Sequence, residues 1–431
     1  AHGFATPAAA EACECNALCW RTRSYFIFQR RPNVFHDRSK KNVSYCVSAA
    51  LADAGIDAGR IEAAWFSNTR QPMLEGQNTI RGQIALRAAG IEGIPVSNVE
   101  NACASGSTAL WQAATAIRAG LFETVLVVGA EKMFFPDRPE AVAAAFMGGT
   151  DIHRIDDIHA AVSNLAAGLI PEELRGAGTA GRSFFMDSYA ALARLHMQTF
   201  GTTQAQLAAV AAKNHDHSAH NPLAQYRTPM SVEAVLADPL VVWPLTRAMC
   251  APISDGAAAV VLMAESALPS TARARAVTLR GQALLSATTR DAADFANHIG
   301  ARTAKAAYEQ AGISPADIDV AEVHDATSYA EIQQVENLGL CPIGEGGPHA
   351  AAGHTRLGGR TPVNPSGGLV SKGHPVGATG LAQIHELVMQ LRGEAGTRQV
   401  EGARIAVAEN GGGFLDVEEG ATVVSVLERA A

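Results

Sequence analysis

The sequence predicts an α/β protein made of two similar halves, the first carrying an inserted cap. Three observations carry that expectation. ALADAGIDAGRIEAAWFSNT, from Ala50, returns as AAYEQAGISPADIDVAEVHDAT, from Ala306. CASGSTALWQAATAIRAGLFETVLVVGAE, from Cys103, returns as HPVGATGLAQIHELVMQLRG, from His374, followed by ARIAVAENGGG, from Ala403. Runs such as VLVV and AAVVLM are unbroken apolar, the pattern of strands covered by helices on both faces of a mostly parallel sheet. With 48% hydrophobic and 18% charged residues, a chain of 431 residues can bury a large core.

In chain order, residues 1–35 match neither half and are read as a divergent N-terminal segment. Cys13, Cys15 and Cys19 crowd there. CECNALC has no following His or Cys pair at ligand spacing, so no metal is expected. Seven cysteines, odd in number and mostly scattered, are not a disulfide framework; a reduced, cytoplasmic setting fits them better. The opening residues lack the charged and continuous apolar regions of a signal peptide. The chain ends LERAA, not in a peroxisomal tripeptide. No apolar run approaches the ~20 residues of a membrane helix. A net charge of −8 without a basic stripe argues against nucleic acid as a partner.

The first half is placed at 36–270 and the second at 271–431. Each copy of the first repeat reads as helix, turn and strand, with AGI at 54–56 matching AGI at 311–313. At that offset Ser67, at the strand end, meets His324. The second repeat is a turn, an apolar helix and a buried-type strand. It sets Cys103 against His374 and Gly106 against Gly377. A pseudo-twofold arrangement brings the two helix N-termini toward a common centre. The insert, about 133–240, is partly helical (SFFMDSYAALARLHMQTFG) and is read as a cap over that centre.

The chemistry gathers there. Cys103, in NACASGS, stands at a predicted helix start, where partial positive charge and free N–H groups lower a thiol pKa. Such a cysteine can attack a thioester and hold the acyl group covalently, its own N–H helping to bind the oxyanion. A lone cysteine is more often a buried core residue; the small residues around it and the matched histidine favour the nucleophile. His324 (VHDATSY) and His374 (SKGHPVG) fall at strand-end or loop positions, where α/β folds place function. One can take the thiol proton and the other can donate to a carbonyl oxygen. Gly411, Gly412 and Gly413 permit close backbone approach to a ligand. Glu409, at the strand end before them, is a candidate base with a raised pKa. KNHDHSAH (His215, His217, His220) has the short spacing of zinc ligands, but it sits in the insert and is read as structural.

NACASGS, NPSGGLVSKGHPVGATG at 364–380 and CAPISDGAAAVVL at 250–262 together resemble the thiolase superfamily. YAALARLHMQTFGTT and KNHDHSAHNPLAQ, in the insert, fit the same pattern. VHDAT at 323–327 resembles the HDCF element of sterol-carrier-protein-2 type thiolases rather than the NEAF element of the biosynthetic and degradative enzymes. The likeness covers roughly residues 36–428, with several motifs in family order. It implies a five-layered αβαβα fold, acyl-CoA substrates, no permanently bound cofactor, a homodimer or homotetramer, and a place in lipid metabolism. It implies Cys103 as the acylated nucleophile, His374 as its base, and His324 at one oxyanion site. The Cys103 backbone and a glycine of 411–413 would form the other. Ser254 and Ser366 are expected in the cleft.

Three departures matter. The second cysteine that thiolases use for the Claisen step is absent from both its places: Glu409 stands in one and Ala326 in the other. The first 35 residues do not match the family's opening strand, although SYFIFQRRPNVF is able to supply it. The expected activity is therefore acyl transfer through Cys103 to CoA, another acyl-CoA or a carbon nucleophile. The alternative is a thiolase-like subunit without Claisen activity that works with an OB-fold partner. It would act as a C-acyltransferase on a non-CoA acceptor, a sterol side-chain lyase or an acyl-CoA binding protein.

Overall fold

The structure is a computed structural model and describes residues 18–21, 38–175 and 183–430. Its strands are β1 (Leu18–Arg21), β2 (Ala63–Ser67), β3 (Val96–Val99), β4 (Thr124–Glu131), β5 (Leu240–Val242), β6 (Leu245–Thr246), β7 (Gly256–Ala264), β8 (Val277–Ser286), β9 (Val320–Glu322), β10 (Ile405–Gly412) and β11 (Ala421–Arg429). β5 and β6 form a separate hairpin, and the other nine form one sheet in the order β3-β2-β4-β7-β1-β8-β11-β10-β9.

Read outward from β1, the sheet is doubled. β2 runs parallel to β4 and β4 antiparallel to β7; β9 runs parallel to β10 and β10 antiparallel to β11. β1 joins the halves, antiparallel to both β7 and β8. β3 flanks β2, and a lone parallel bridge from Val363 flanks β9 at Ala321. The opening strand is thus LCWR; the alternative in SYFIFQRRPNVF lies outside the described residues, as do Cys13 and Cys15.

Alternation along the strands explains why they read as unbroken apolar. In β4, Val125 and Val127 pack on the helices Ser105–Arg118 and Thr379–Arg392, while Leu126 and Val128 pack on the helix Arg38–Ala54. In β10, Ala406 and Ala408 face the same two central helices, while Ile405 and Val407 face the helix Ile299–Ala311. The result is five layers: outer helix, half-sheet, two central helices, half-sheet, outer helix. Small residues let the central helices cross closely. A Cβ on Gly380 would fall 2.0 Å from Ser107 Oγ, and one on Gly106 would fall 3.2 Å from the Gly377 carbonyl oxygen. Their N-terminal ends therefore meet, as the repeat predicts.

The chain between β4 and β7 is mostly helical. Its two long helices, Phe184–Phe200 and Gln204–Ala219, are capped by Ser183 and by a Thr203–Gln206 capping box, and Gly201 turns the chain between them at φ 78°. This insert shares a core with Ala326, Tyr329 and Phe414, which come from the second half beside the central helices. No helix among the described residues is long and apolar enough to cross a membrane.

Candidate active site

Cys103 stands in a tight turn just ahead of the helix Ser105–Arg118. Ala102 before it is held at φ 47°, a left-handed conformation that a non-glycine residue adopts only under constraint. The Cys103 thiol is partly accessible. His374 reaches it from the second half, with Nε2 3.3 Å from Cys103 Sγ.

The ring of His374 is oriented by Thr379, five residues on. Thr379 Oγ1 donates its own proton to the Pro375 carbonyl (3.0 Å), so it can only accept from His374 Nδ1, 2.7 Å away. The imidazole proton thus sits on Nδ1, and Nε2 presents its lone pair to the thiol. Ser254 holds the same loop: its hydroxyl accepts from the His374 amide (2.9 Å) and donates to Gln225 Oε1 (2.6 Å). Ser254 is thus a support beneath the histidine. Ser366 is completely buried, with its amide and hydroxyl donating to the two oxygens of Glu322 (3.0 and 2.8 Å); it is not brought together with Cys103.

His324, just past β9, completes the cluster. Its ring centroid is 5.2 Å from that of His374. One ring nitrogen from each histidine and Cys103 Sγ all lie within 4.8 Å of one another, close enough to hold a metal ion as well as a substrate oxygen. Both ring nitrogens of His324 are buried and have no hydrogen-bond partner in the protein. A buried imidazole left open in this way is aimed at something that binds. His215 and His217 are the opposite case. His215 meets the Ala248 carbonyl and Ser371 Oγ, and His217 donates to the Asn364 carbonyl and accepts from the Leu357 amide, which is the structural reading.

Burial governs the charges. The Cys103 thiol is pushed up to about 11 by loss of water, against the pull of Arg70 and the Gly413 amide. This corrects the expectation of a lowered thiol pKa: the helix starts only at Ser105, and desolvation outweighs its dipole. Burial lowers His324 to about 4 and lowers His374 well below its usual range, His324 adding to the second effect. The resting pair is therefore a neutral thiol and a neutral imidazole, and the thiolate forms only as the proton moves.

Glu409 is fully buried in β10. Its Oε2 accepts from the His324 amide (3.0 Å), and Oε1 has no partner. Burial and then Glu419 push its carboxyl well up, as the sequence suggests, so it rests as the acid. The three glycines differ. Gly413, at φ 68°, turns its amide onto Cys103. Gly412 packs on the nucleophile turn so closely that a Cβ would lie 2.3 Å from the Ala104 nitrogen. Gly411 is paired with Thr422 in the sheet.

Sequence reasoning missed four contributors. Thr379 was inside a quoted motif, but only the folded loop makes it an acceptor. Glu131 gathers five donors: Asn68 Nδ2, the Thr69 amide and hydroxyl, and the Arg70 and Gly377 amides, all at 2.9–3.0 Å. It thereby ties the end of β2 to the His374 loop. Arg70 acts on the thiol as a nearby cation. Tyr189, from the insert, is raised by burial and by the charges of Glu419, Cys103, Glu409 and Asp325, which brings its phenol into the same field.

A doubled five-layer α/β fold with a cysteine and two histidines at its centre is the architecture of thiolases. The chain belongs to the thiolase family: residues 33–235 match the thiolase N-terminal domain and 281–429 the thiolase C-terminal domain-like model. It is 39% identical to an acetyl-CoA acetyltransferase of Methanothermobacter thermautotrophicus, over 84% of this chain and 88% of that one. It is 38% identical to bovine sterol carrier protein 2, of whose length it spans 64%. It is 32% identical to the benzoylsuccinyl-CoA thiolase subunit BbsB of Thauera aromatica, over 83% and 89% of the two chains. Among solved structures, the Ltp2–ChsH2(DUF35) aldolase matches 96% of this chain and 98% of its own, with a TM-score of 0.72 at 22% identity, which speaks to the fold.

Proposed function

We propose that this protein is an acyl-CoA acyltransferase that forms an acyl-enzyme on Cys103. The observation that carries the reading is the Cys103–His374–Thr379 line, a thiol facing a bare imidazole nitrogen whose other nitrogen is locked as a donor. In the reading, Cys103 Sγ attacks the thioester carbonyl as its proton passes to His374 Nε2. His324 donates to the substrate oxygen on one side. The Cys103 amide with a glycine amide of 411–413 serves the other. CoA leaves, and the acyl group passes to CoA, another acyl-CoA or a carbon nucleophile. Where a carbon–carbon bond is made or broken, Glu409 handles the carbon-bound proton in place of the absent second cysteine.

The test is intact mass and free CoA after incubation with acetyl-CoA and longer acyl-CoAs. A gain of one acyl group, lost in Cys103→Ala, is expected. No adduct with any acyl-CoA, with the chain alone or with a partner added, would overturn the reading.

The second reading is a subunit whose acceptor step needs a partner chain. It is favoured by the two vacated cysteine positions, Glu409 and Ala326, and by the name of the 32% identical relative, which is a thiolase subunit. An acyl-enzyme that forms but is discharged by no CoA thioester alone distinguishes it.

A further inference from the structure

A second buried cluster adjoins the site. Glu419, in the turn between β10 and β11, and His298, ahead of the helix Ile299–Ala311, are 3% and 2% exposed. His298 Nε2 lies 3.2 Å from Glu419 Oε2. His298 Nδ1 accepts from the Gly300 amide (3.1 Å) and from Asn337 Nδ2 (2.9 Å). The same Asn337 nitrogen donates to Gln334 Oε1 (2.9 Å), and Gln334 Nε2 donates to Glu419 Oε1 (3.1 Å). Four side chains close a ring. With Nδ1 taken as an acceptor, the imidazole proton stands on Nε2 beside the carboxylate. Oε1 of Glu419 thus accepts from Gln334, and Oε2 stands within ion-pair distance of His298 Nε2, surroundings that suit the ionised form better than the acid.

Glu418, its neighbour, points elsewhere and is neutralised by Arg290 (2.6 Å) and Arg302 (3.1 Å). No lysine or arginine pairs with Glu419 among the described residues, so its field is not cancelled in the same way. That field falls on Glu409. Gly411 lies two residues after Glu409 on the same face of β10, and a Cβ there would sit 2.7 Å from Glu419 Cγ. The groups around Glu409 are Glu419 from this turn, Asp325 and the His324 amide from the end of β9, and Tyr189 from the insert. Burial first, and then the neighbouring Glu419, disfavour a charge on Glu409.

We propose that the ring of Glu419, His298, Gln334 and Asn337 is a positioning element that keeps Glu409 protonated in the resting enzyme. Glu409 then enters the reaction as an acid, in the cleavage of a 3-oxoacyl thioester. This rests on the acyl-enzyme reading above. In that step Cys103 Sγ adds to the 3-oxo carbon, its proton going to His374. The C2–C3 bond breaks with its electron pair on C2, and Glu409 Oε1–H delivers its proton to C2. The products are acyl-Cys103, which carries the shortened chain, and the CoA thioester of the two-carbon C1–C2 fragment. When CoA-SH takes the acyl group, its proton restores Glu409 and the imidazolium proton restores Cys103.

Infrared difference spectra of the resting protein, wild type minus Glu409→Gln, isolate the carbonyl stretch of this one carboxylic acid without any substrate. The acid band is expected at neutral pH. In Glu419→Gln its titration midpoint should fall by about one unit or more, a tenfold loss in proton affinity. Glu419→Asp should restore it, and His298→Gln should move it in the same direction as Glu419→Gln. Absence of the acid band in the wild type, or an unchanged midpoint in Glu419→Gln, overturns the proposal. Should Glu419→Gln not fold, His298→Gln decides by the same criterion. A protein that shows the band and its shift but never acylates Cys103 would sink the acyltransferase reading and leave the ring assignment intact.

Discussion

Replacing Thr379 with valine removes one atom's function and almost no volume. In the structure Thr379 Oγ1 is the acceptor for the His374 Nδ1 proton at 2.7 Å, and its own proton is committed to the Pro375 carbonyl. Valine leaves Nδ1–H buried without a partner, at a cost of about 1–3 kcal/mol. It also frees the other tautomer, in which Nε2 carries the proton and cannot take one from Cys103. At 1.36 kcal/mol per factor of ten, the acylation rate should fall roughly 5- to 150-fold. The assay is single-turnover release of CoA from acyl-CoA by rapid quench. Thr379→Ser, which keeps the hydroxyl, should acylate nearly as the wild type does. Acyl-CoA affinity should not change, because Thr379 lies behind the histidine. A Thr379→Val protein that acylates at the wild-type rate would refute the tautomer lock and with it the assignment of His374 Nε2 as the base.

Three further outcomes follow from the geometry. With the Cys103 thiol near 11, only roughly one molecule in a thousand is thiolate at pH 8, so alkylation by iodoacetamide should rise about tenfold per unit from about pH 7 to 9; a plateau near neutrality would show a preformed thiolate. Gly380→Ala forces a methyl to within 2.0 Å of Ser107 Oγ and 2.7 Å of its backbone nitrogen. Urea unfolding should show a loss of about 1–3 kcal/mol or more, and a neutral result would mean that the central helices are not so close. Lys213 and Glu331 form a fully buried ion pair at 2.6 Å. Lys213→Met should cost about 3–5 kcal/mol by stranding the carboxylate, with part regained in Lys213→Met/Glu331→Gln; equal losses in both would mean the charge is not what matters.

The doubled topology was legible because each repeat carries its own punctuation. The AGI turns set the helix–strand register, and the offset that pairs Cys103 with His374 also pairs Gly106 with Gly377, which the fold brings against each other. Ser67 and His324, matched by the other offset, both end at the centre, Ser67 Oγ donating to the Gly377 carbonyl (2.5 Å). What the sequence could not show is depth. A helix start argues for an acidic thiol, and only the packing reveals that burial outweighs it at Cys103. Thr379 looks like any small residue in a glycine-rich loop until the loop bends it back on His374. The ring around Glu419 draws on a strand-connecting turn, a helix entry and one face of the helix Ser328–Asn337, and no local spacing announces it.

These charges share one logic. Cys103 rests as a thiol, His374 and His324 as neutral rings, and Glu409 as an acid, each driven there first by burial. A site at rest without net charge on its reacting groups costs far less to bury than a charged one. In the proposed reaction charge appears only as the chemistry proceeds: on Cys103 and His374 as the proton crosses 3.3 Å, and on a substrate oxygen beside the open nitrogens of His324. In a dry site such charges are felt more strongly than in water, so donors already aimed at them favour the transition state over the ground state. The exception is Glu419, which accepts from Gln334 and stands 3.2 Å from His298. A fixed anion there raises the proton affinity of Glu409 without lending charge to the nucleophile. In the proposed mechanism it thereby separates the two proton-handling tasks, giving the acid to one carboxyl and the base to one imidazole. A site so arranged is poised to protonate a departing carbon and would first have to lose a proton before it could condense two acyl groups.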